Sequence, residues 1–144
     1  MPILNSAAKL MLKPVPRFIS RQAHAVIDYM MVGSFFMSAV WLWPRNKRAA
    51  LGALICGGSG LAVSLLTNYP GGVKKVMSFS RHGEIELGLA AMAATMPEFL
   101  AFKDDAEKKL FLGQGVVITA VRELTEFPDK ANRRERAIEI ARAA

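Results

Sequence analysis

The chain alternates between long uncharged stretches and short segments in which charged residues concentrate. Residues 29–44 contain no Asp, Glu, Lys, Arg or His over 16 positions, and residues 49–73 contain none over 25 positions. A helix that crosses the hydrocarbon layer of a membrane needs about 20 mainly apolar residues. The pattern therefore predicts two membrane-spanning helices, of which the first must include polar flanking residues such as His24 and Asp28.

The same pattern occurs twice along the chain, at a constant offset of 58 residues. His24 aligns with His82, and Asp28 aligns with the chemically similar Glu86. At the other end of the unit, Leu-Thr-Asn-Tyr-Pro at 66–70 aligns with Leu-Thr-Glu-Phe-Pro further on. Because one offset aligns both ends without a gap, the sequence predicts an internal duplication.

Each repeat is predicted to form two helices joined by a short loop. Ser20 and Ser80 are expected to cap the first helix of each repeat, since serine is a favoured N-cap residue. Proline ends a helix and makes the preceding residue extended. The second helix should therefore stop near Tyr69 in the first repeat and near Phe127 in the second.

The second repeat is less apolar than the first. Its longest uncharged runs cover 11 residues at 87–97 and 12 residues at 110–121, which alone would indicate buried or interfacial helices. The alignment with the first repeat favours four spans over two spans plus two interfacial helices. The predicted fold class is all-α and integral to the membrane, with two tandem helical hairpins related by a pseudo-two-fold axis along the membrane normal. The predicted organisation is a basic cytoplasmic arm at 1–19, a four-helix transmembrane domain at 20–128 (repeats at about 20–77 and about 78–128), and a charged cytoplasmic tail helix at 129–144.

The distribution of positive charge predicts the orientation in the membrane. If the N-terminus is cytoplasmic, twelve Lys and Arg residues lie inside and six lie outside, and cytoplasmic loops are the ones enriched in these residues. We therefore expect both termini in the cytoplasm. The enrichment of Lys and Arg in cytoplasmic segments that contact a lipid bilayer explains the net charge of +7. We therefore expect no nucleic-acid partner. Trp41 and Trp43 should lie at the outer interface, and Tyr29 and Tyr69 at the inner one.

Small residues are expected to pack the helices against one another. Lipid supplies no hydrophobic force between helices, so close approach through small side chains replaces it. The predicted packing positions are Ala53, Gly57 and Gly60 in the first repeat and Gly115 in the second.

The repeated pair of a histidine and an acid four residues later is the sharpest chemical feature. Residues at this spacing share one face of a helix. By the predicted symmetry both pairs lie at the cytoplasmic end, where two threonines arrive at the same level and Glu123 and Glu126 lie nearby. The predicted polar cluster consists of His24, Asp28, Thr67, His82, Glu86 and Thr125.

Two interpretations of this cluster stay open. In one, His24, Asp28, His82 and Glu86 ligate a divalent metal or handle protons, because histidine and carboxylate ligands on facing helices hold metals in helical bundles. In the other, which the sequence favours, each acid lies in the first turn of its helix, is stabilised by the helix dipole and bonds to its histidine near interfacial water. No motif specifies a particular cofactor.

These residues resemble a bacterial family of small membrane proteins named for a repeated Ser-Pro-Trp signature. The resemblance rests on His24 with Asp28-Tyr29, on Thr67 and Tyr69 at a helix end, and on His82 with Glu86. A proline-centred segment at 96–102 resembles the end of the third helix in that family. The similarity covers about residues 20–128, although the Ser-Pro-Trp tripeptide itself is absent. The resemblance implies four helices and a duplicated fold in a bacterial inner membrane, and it implies no activity.

The sequence thus favours a non-enzymatic membrane module that packs with partner membrane proteins or with copies of itself. No nucleophile elbow, paired-cysteine motif or phosphate-binding glycine loop is present. The alternative is a metal- or proton-binding site at the cytoplasmic end, which could serve transport.

Overall fold

The computed structural model describes residues 16–128 and Ile140, so most of the predicted arm and tail helix lie outside the described residues. The described part is all-α and contains four helices and no strand, as the sequence predicted for the fold class. We label these helices in chain order. They are α1 (Arg21–Leu42), α2 (Lys47–Leu66), α3 (Phe79–Phe99) and α4 (Asp105–Leu124).

Each helix begins at a side chain that caps its first free backbone amides. Ser20 accepts a hydrogen bond from the Ala23 amide at the start of α1, and Ser78 does the same at the start of α3. The predicted cap at Ser80 is therefore wrong, since Ser80 lies inside α3. Asn46 caps α2 and Asp104 caps α4. The 58-residue offset relates Ser20 to Ser78 and also relates Asn46 to Asp104.

Helices α2 and α4 end three residues earlier than the positions predicted from proline. Thr67 and Thr125 are the C-caps, and both are extended, with φ/ψ of −84°/140° and −88°/139°. The extended backbone at these threonines turns the chain across the end of the bundle. Tyr69 and Phe127 consequently point inward and are 2% exposed each.

Two short backbone exchanges join helix ends to neighbouring segments at this end. The amide of Ile19 donates to the carbonyl of Leu124, and the amide of Glu126 donates back to the carbonyl of Ile19. The corresponding bonds 58 residues away join Met77 with Leu66 and Asn68. The first exchange therefore joins the end of α4 to the segment that leads into α1, and the second joins the end of α2 to the segment that leads into α3.

The helices pack as two hairpins, α1 with α2 and α3 with α4. The larger apolar core lies between the hairpins near the interhelical loops. It includes the fully buried Phe111, Ala49 and Ala53. A second, smaller core closes the end where α1 begins and α4 ends, and it consists of Ala25, Tyr69, Phe79 and Phe127.

The predicted packing positions lie at close approaches, within and between the hairpins. Ala53 is completely buried in the large core. A Cβ added at Gly57 would lie 3.0 Å from the Cβ of Phe35, and one at Gly60 would lie 3.3 Å from a methyl of Val32. The tightest of the four predicted positions is Gly115, where an added Cβ would lie 2.8 Å from the backbone carbonyl oxygen of Ala90.

A larger side chain at Gly115 is therefore expected to push α4 away from α3. We expect Gly115→Leu to lower the free energy of unfolding by about 1–3 kcal/mol, because the obstacle is backbone that cannot rotate aside. Gly113→Leu is the matched control, since a Cβ at Gly113 meets nothing within 4 Å. Unfolding followed by circular dichroism measures both, and equal stability of the two variants would contradict this packing.

Two of the four described helices, α1 and α2, are long and apolar enough to cross a membrane by length and composition. Less than half of each apolar window is buried inside the protein, 28% in α1 and 39% in α2. Their remaining apolar side chains face outward. Met37 and Val40 are 72% and 74% exposed on α1.

Candidate functional site

Two histidines and two carboxylates meet in the interior at the end of the bundle where α1 begins and α4 ends. His24 and Asp28 lie one turn apart on α1, and His82 and Glu86 lie one turn apart on α3. One ligand-type atom from each of the four lies within 4.8 Å of the others. We call these four residues the His–carboxylate cluster.

The distances within the His–carboxylate cluster are short and similar. The two Nε2 atoms of His24 and His82 lie 3.3 Å apart. His24 Nε2 is 3.2 Å from Glu86 Oε1 and 3.4 Å from Asp28 Oδ1. His82 Nε2 is 3.0 Å from Asp28 Oδ2 and 3.8 Å from Glu86 Oε1. The shortest carboxylate contact of each histidine is therefore with the acid of the other helix.

The cluster is buried inside the protein, whereas the sequence predicted that these side chains reach water. His24 and His82 are 0% and 1% exposed, and Asp28 and Glu86 are 8% and 4% exposed. Neither acid lies in the first turn of its helix. The explanation of these acids as dipole-stabilised, water-facing helix starts is therefore wrong.

Each of the two histidines donates its Nδ1–H to a threonine hydroxyl oxygen, and this hydrogen bond determines the tautomer of the neutral ring. Thr67 donates its hydroxyl proton to the carbonyl of Val63 at 2.6 Å, and its oxygen lies 2.8 Å from Nδ1 of His82. Because a hydroxyl has only one proton to donate, this oxygen must accept from a protonated Nδ1. In the neutral ring of His82, Nε2 then carries the lone pair and faces the cluster.

His24 has the same arrangement. Thr125 donates to the carbonyl of Val121 at 2.6 Å, and its oxygen lies 2.7 Å from Nδ1 of His24. The structure therefore brings the two predicted threonines to the outer nitrogens of the two histidines. Both Nε2 atoms are left to face the two carboxylates.

Tyr69 is a member of the site that sequence reasoning missed. Its hydroxyl donates to Asp28 Oδ2 at 2.9 Å, and its ring centre lies 5.3 Å from that of His82. Burial raises the pKa of Tyr69, so the hydroxyl keeps its proton and remains a donor to Asp28. The Tyr69 side chain thus lies inside the bundle, whereas the sequence predicted that it faces the membrane interface.

The two halves of the site differ at the position equivalent to Tyr69. Phe127 occupies that position in the second half and has no hydroxyl. Its ring centre lies 5.8 Å from that of His24, while Phe79 approaches the same ring edge-on at 5.2 Å. Glu86 Oε2 is buried and has no hydrogen-bond partner among the described residues. The Asp28 half is therefore supported by a hydroxyl, and the Glu86 half is not.

The other acids expected near the cluster do not join it. Glu123 forms an ion pair with Arg122, and Glu126 is exposed. The Arg122 side chain is buried and also donates to the backbone carbonyl of Gly83 on α3. In the described part of the chain, no Lys or Arg forms an ion pair with Asp28 or Glu86.

The arrangement concentrates hydrogen-bonding nitrogens and carboxylate oxygens in the buried interior. Each Nε2 atom faces the two carboxylates, and no Lys or Arg among the described residues forms an ion pair with them. Buried charges are stable only when they are paired or coordinate a metal. A cation or added protons at the centre would satisfy all four groups. Comparison with known proteins finds no matching family, no matching curated protein and no matching solved structure.

Proposed function

We propose that this chain is an integral membrane protein that binds one divalent transition-metal ion, of the Zn²⁺ class, in the His–carboxylate cluster. The observation that carries the proposal is the convergence of two imidazole Nε2 atoms and two carboxylates on one buried point. Imidazole nitrogen and carboxylate oxygen are common ligands of zinc. The charge of a divalent ion also balances the two carboxylates.

The spacing of the donor atoms supports a tetrahedral ion. Zinc bonds of about 2.0–2.1 Å directed to the corners of a tetrahedron place neighbouring donors about 3.3 Å apart. The Nε2–Nε2 distance of 3.3 Å and the shorter Nε2–carboxylate distances of 3.0, 3.2 and 3.4 Å are close to that edge length. A small adjustment of Glu86 shortens the remaining 3.8 Å distance.

The surroundings of the cluster also suit a metal. Ligating histidines usually donate their second N–H to an oxygen that fixes ring orientation and tautomer. Thr67 and Thr125 accept those bonds from His82 and His24. The hydroxyl of Tyr69 similarly orients Asp28.

The proposed location is a bacterial inner membrane, with four spans arranged as two hairpins related by a pseudo-two-fold axis. The outward-facing apolar side chains of α1 and α2 support it, because a soluble bundle keeps polar residues on that face. Helices α3 and α4 have 21 and 20 residues, which at about 1.5 Å per residue matches the hydrocarbon thickness. The 58-residue relation between the caps and between the backbone exchanges supports the symmetry. The proposed topology has both termini in the cytoplasm, next to the metal.

Metal analysis of the purified protein tests the proposed function. Protein purified in detergent, exchanged with Zn²⁺ and freed of excess ion by gel filtration is expected to retain one zinc per chain. Absence of a retained transition metal would overturn the proposal. The cluster would then be a pair of hydrogen-bonded ion pairs, His24 with Glu86 and His82 with Asp28, that join the two hairpins.

Extraction of native membranes tests the location independently. We expect the chain to stay in the membrane fraction after carbonate washing and to dissolve only in detergent. Release into the aqueous fraction by carbonate would contradict four spans. Reporter fusions at the two termini test the topology, and both should report the cytoplasmic side.

The threonines give a prediction that does not remove a metal ligand. Thr67→Val and Thr125→Val keep the side-chain shape but delete the oxygen that accepts from Nδ1. We expect each variant to lower zinc affinity about 10–100-fold, the range typical for outer partners of metal ligands. Thr119→Val is the matched control. The Thr119 hydroxyl donates to the backbone carbonyl four residues earlier, as the hydroxyls of Thr67 and Thr125 do, but it has no histidine partner. Competition with a chelating zinc indicator measures all three, and unchanged affinity in both test variants would count against this role.

The hypothesis of an accessory module that packs with partner proteins or with itself stays a prediction. Crosslinking in native membranes tests it, and exclusive recovery of monomer would oppose it.

A further inference from the structure

A small cavity adjoins the His–carboxylate cluster on its side toward the middle of the bundle. Its volume is about 40 Å³, and it lies among all four helices. Asp28, His82 and Glu86 form its polar end. Apolar side chains such as Leu89 on α3 and Ile118 on α4 form the walls. Three of the four proposed metal ligands thus border this one cavity.

The unsatisfied oxygen of Glu86 is the second observation at this place. Glu86 is 4% exposed, and its Oε2 has no hydrogen-bond partner among the described residues. Leaving a buried charged oxygen unpaired costs more than leaving a neutral one unpaired. Its counterpart Asp28 receives the hydroxyl of Tyr69, whereas the equivalent Phe127 has no hydroxyl to offer. A hydrogen-bond donor in the cavity would complete the Glu86 half.

We propose that this cavity holds a water molecule bound to the metal, so that the ion keeps a coordination position for an exogenous ligand. The inference rests on the proposed metal site. In this arrangement the water oxygen binds the ion and one of its hydrogens is donated to Glu86 Oε2. The Ser64 hydroxyl also lines the cavity and supplies a further polar neighbour.

The dimensions of the cavity agree with this occupant. One water needs about 10–15 Å³ of such space and two to four polar partners. The cavity admits water and similarly small neutral ligands, and the apolar walls disfavour larger polar molecules. Because four protein donors already surround the ion, the water is a fifth ligand, a coordination number to which zinc sites can expand. The proposal therefore gives the ion one exchangeable small ligand in addition to the protein ligands.

Electron paramagnetic resonance of the Co²⁺-loaded protein in ¹⁷O-enriched water tests the inference. An oxygen bound directly to cobalt broadens the resonance when it carries ¹⁷O. Two variants, Ile118→Phe on α4 and Leu89→Phe on α3, are designed to fill the cavity with a larger side chain. Val117→Phe is the matched control, because Val117 is the neighbour of Ile118 on α4 and is 44% exposed. Cobalt content per chain is measured in every sample.

We expect broadening in the wild type and in Val117→Phe, and its loss in both filled variants with one cobalt per chain retained. Loss in the one filled variant that folds, with cobalt retained, also supports the proposal. Bound cobalt without broadening in the wild type would overturn the water position and leave the metal site standing. Broadening that persists in a filled variant that folds would place the water elsewhere and would also overturn it. Failure to bind cobalt at all would overturn the proposed function itself, and the water position with it.

Discussion

Replacing His82 with alanine is expected to lower zinc affinity by more than about 100-fold. Loss of an outer partner of a ligand typically costs 10–100-fold, and loss of a direct donor should exceed that range. The buried position adds to the effect, because His82 is 1% exposed and water cannot readily replace its Nε2. His24→Ala should have an effect of similar size, since both rings contribute in the same way.

A neighbouring acid on the same helix provides the control for these variants. Glu84 is exposed on α3, two residues from His82, and takes no part in the cluster. Glu84→Ala should therefore retain one zinc per chain with unchanged affinity. Isothermal titration with competing chelator measures the three variants side by side. Wild-type affinity in both histidine variants would mean that zinc, if bound, is held elsewhere in the protein.

Zinc is expected to stabilise the folded protein strongly. A ligand that binds only the folded state at about 100 times its dissociation constant adds about 2.7 kcal/mol to the free energy of unfolding. For a domain of this size, that corresponds to a rise in melting temperature on the order of 10 °C. The ion would join α1 to α3, and those two helices belong to different hairpins.

The double variant His24→Ala/His82→Ala is the control for this stabilisation. It should melt at the same temperature with and without zinc. Magnesium at the same concentration should have little effect on the wild type, because Mg²⁺ prefers oxygen ligands and retains its waters. Fluorescence- or dichroism-monitored melting in detergent measures these shifts. An equal zinc-induced shift in the double variant would contradict a stabilising role for the cluster.

Much of the architecture could be predicted because the repeat and the hydropathy pattern agree. The four helices and the all-α class follow from alternating apolar runs and proline-marked ends. Hydropathy alone does not place α3 and α4 in a membrane, since neither passes the criterion that α1 and α2 pass. Their charged residues include members of the His–carboxylate cluster and also exposed residues such as Glu84 and Lys109.

The identity of the cluster could also be predicted, but its depth could not. The spacing of His24 and Asp28 places both on one helix face, and the 58-residue offset pairs them with His82 and Glu86. Sequence position near a helix start suggested an exposed, interfacial site. The extended threonines instead fold Tyr69 and Phe127 over the end of the bundle, and the cluster is buried beneath them.

One side-chain role depended on a three-dimensional contact that no local pattern encodes. Tyr69 was expected at the lipid interface, because its aromatic ring and hydroxyl suit that environment. Its inward direction follows from the backbone turn at Thr67 and from the acceptor that Asp28 offers. The cap of α3, in contrast, could have been predicted, because the 58-residue offset pairs Ser20 with Ser78 and not with Ser80.

X-ray absorption of the zinc-loaded protein tests the central claim most directly, because it reports the atoms bound to the ion. We predict nitrogen and oxygen donors at about 2.0–2.1 Å, including two imidazole rings recognisable by their outer-shell scattering. The imidazole signal should fall by half in His82→Ala with zinc supplied in excess. A sulfur neighbour, or a first shell without imidazole, would contradict a metal held between the two helical hairpins.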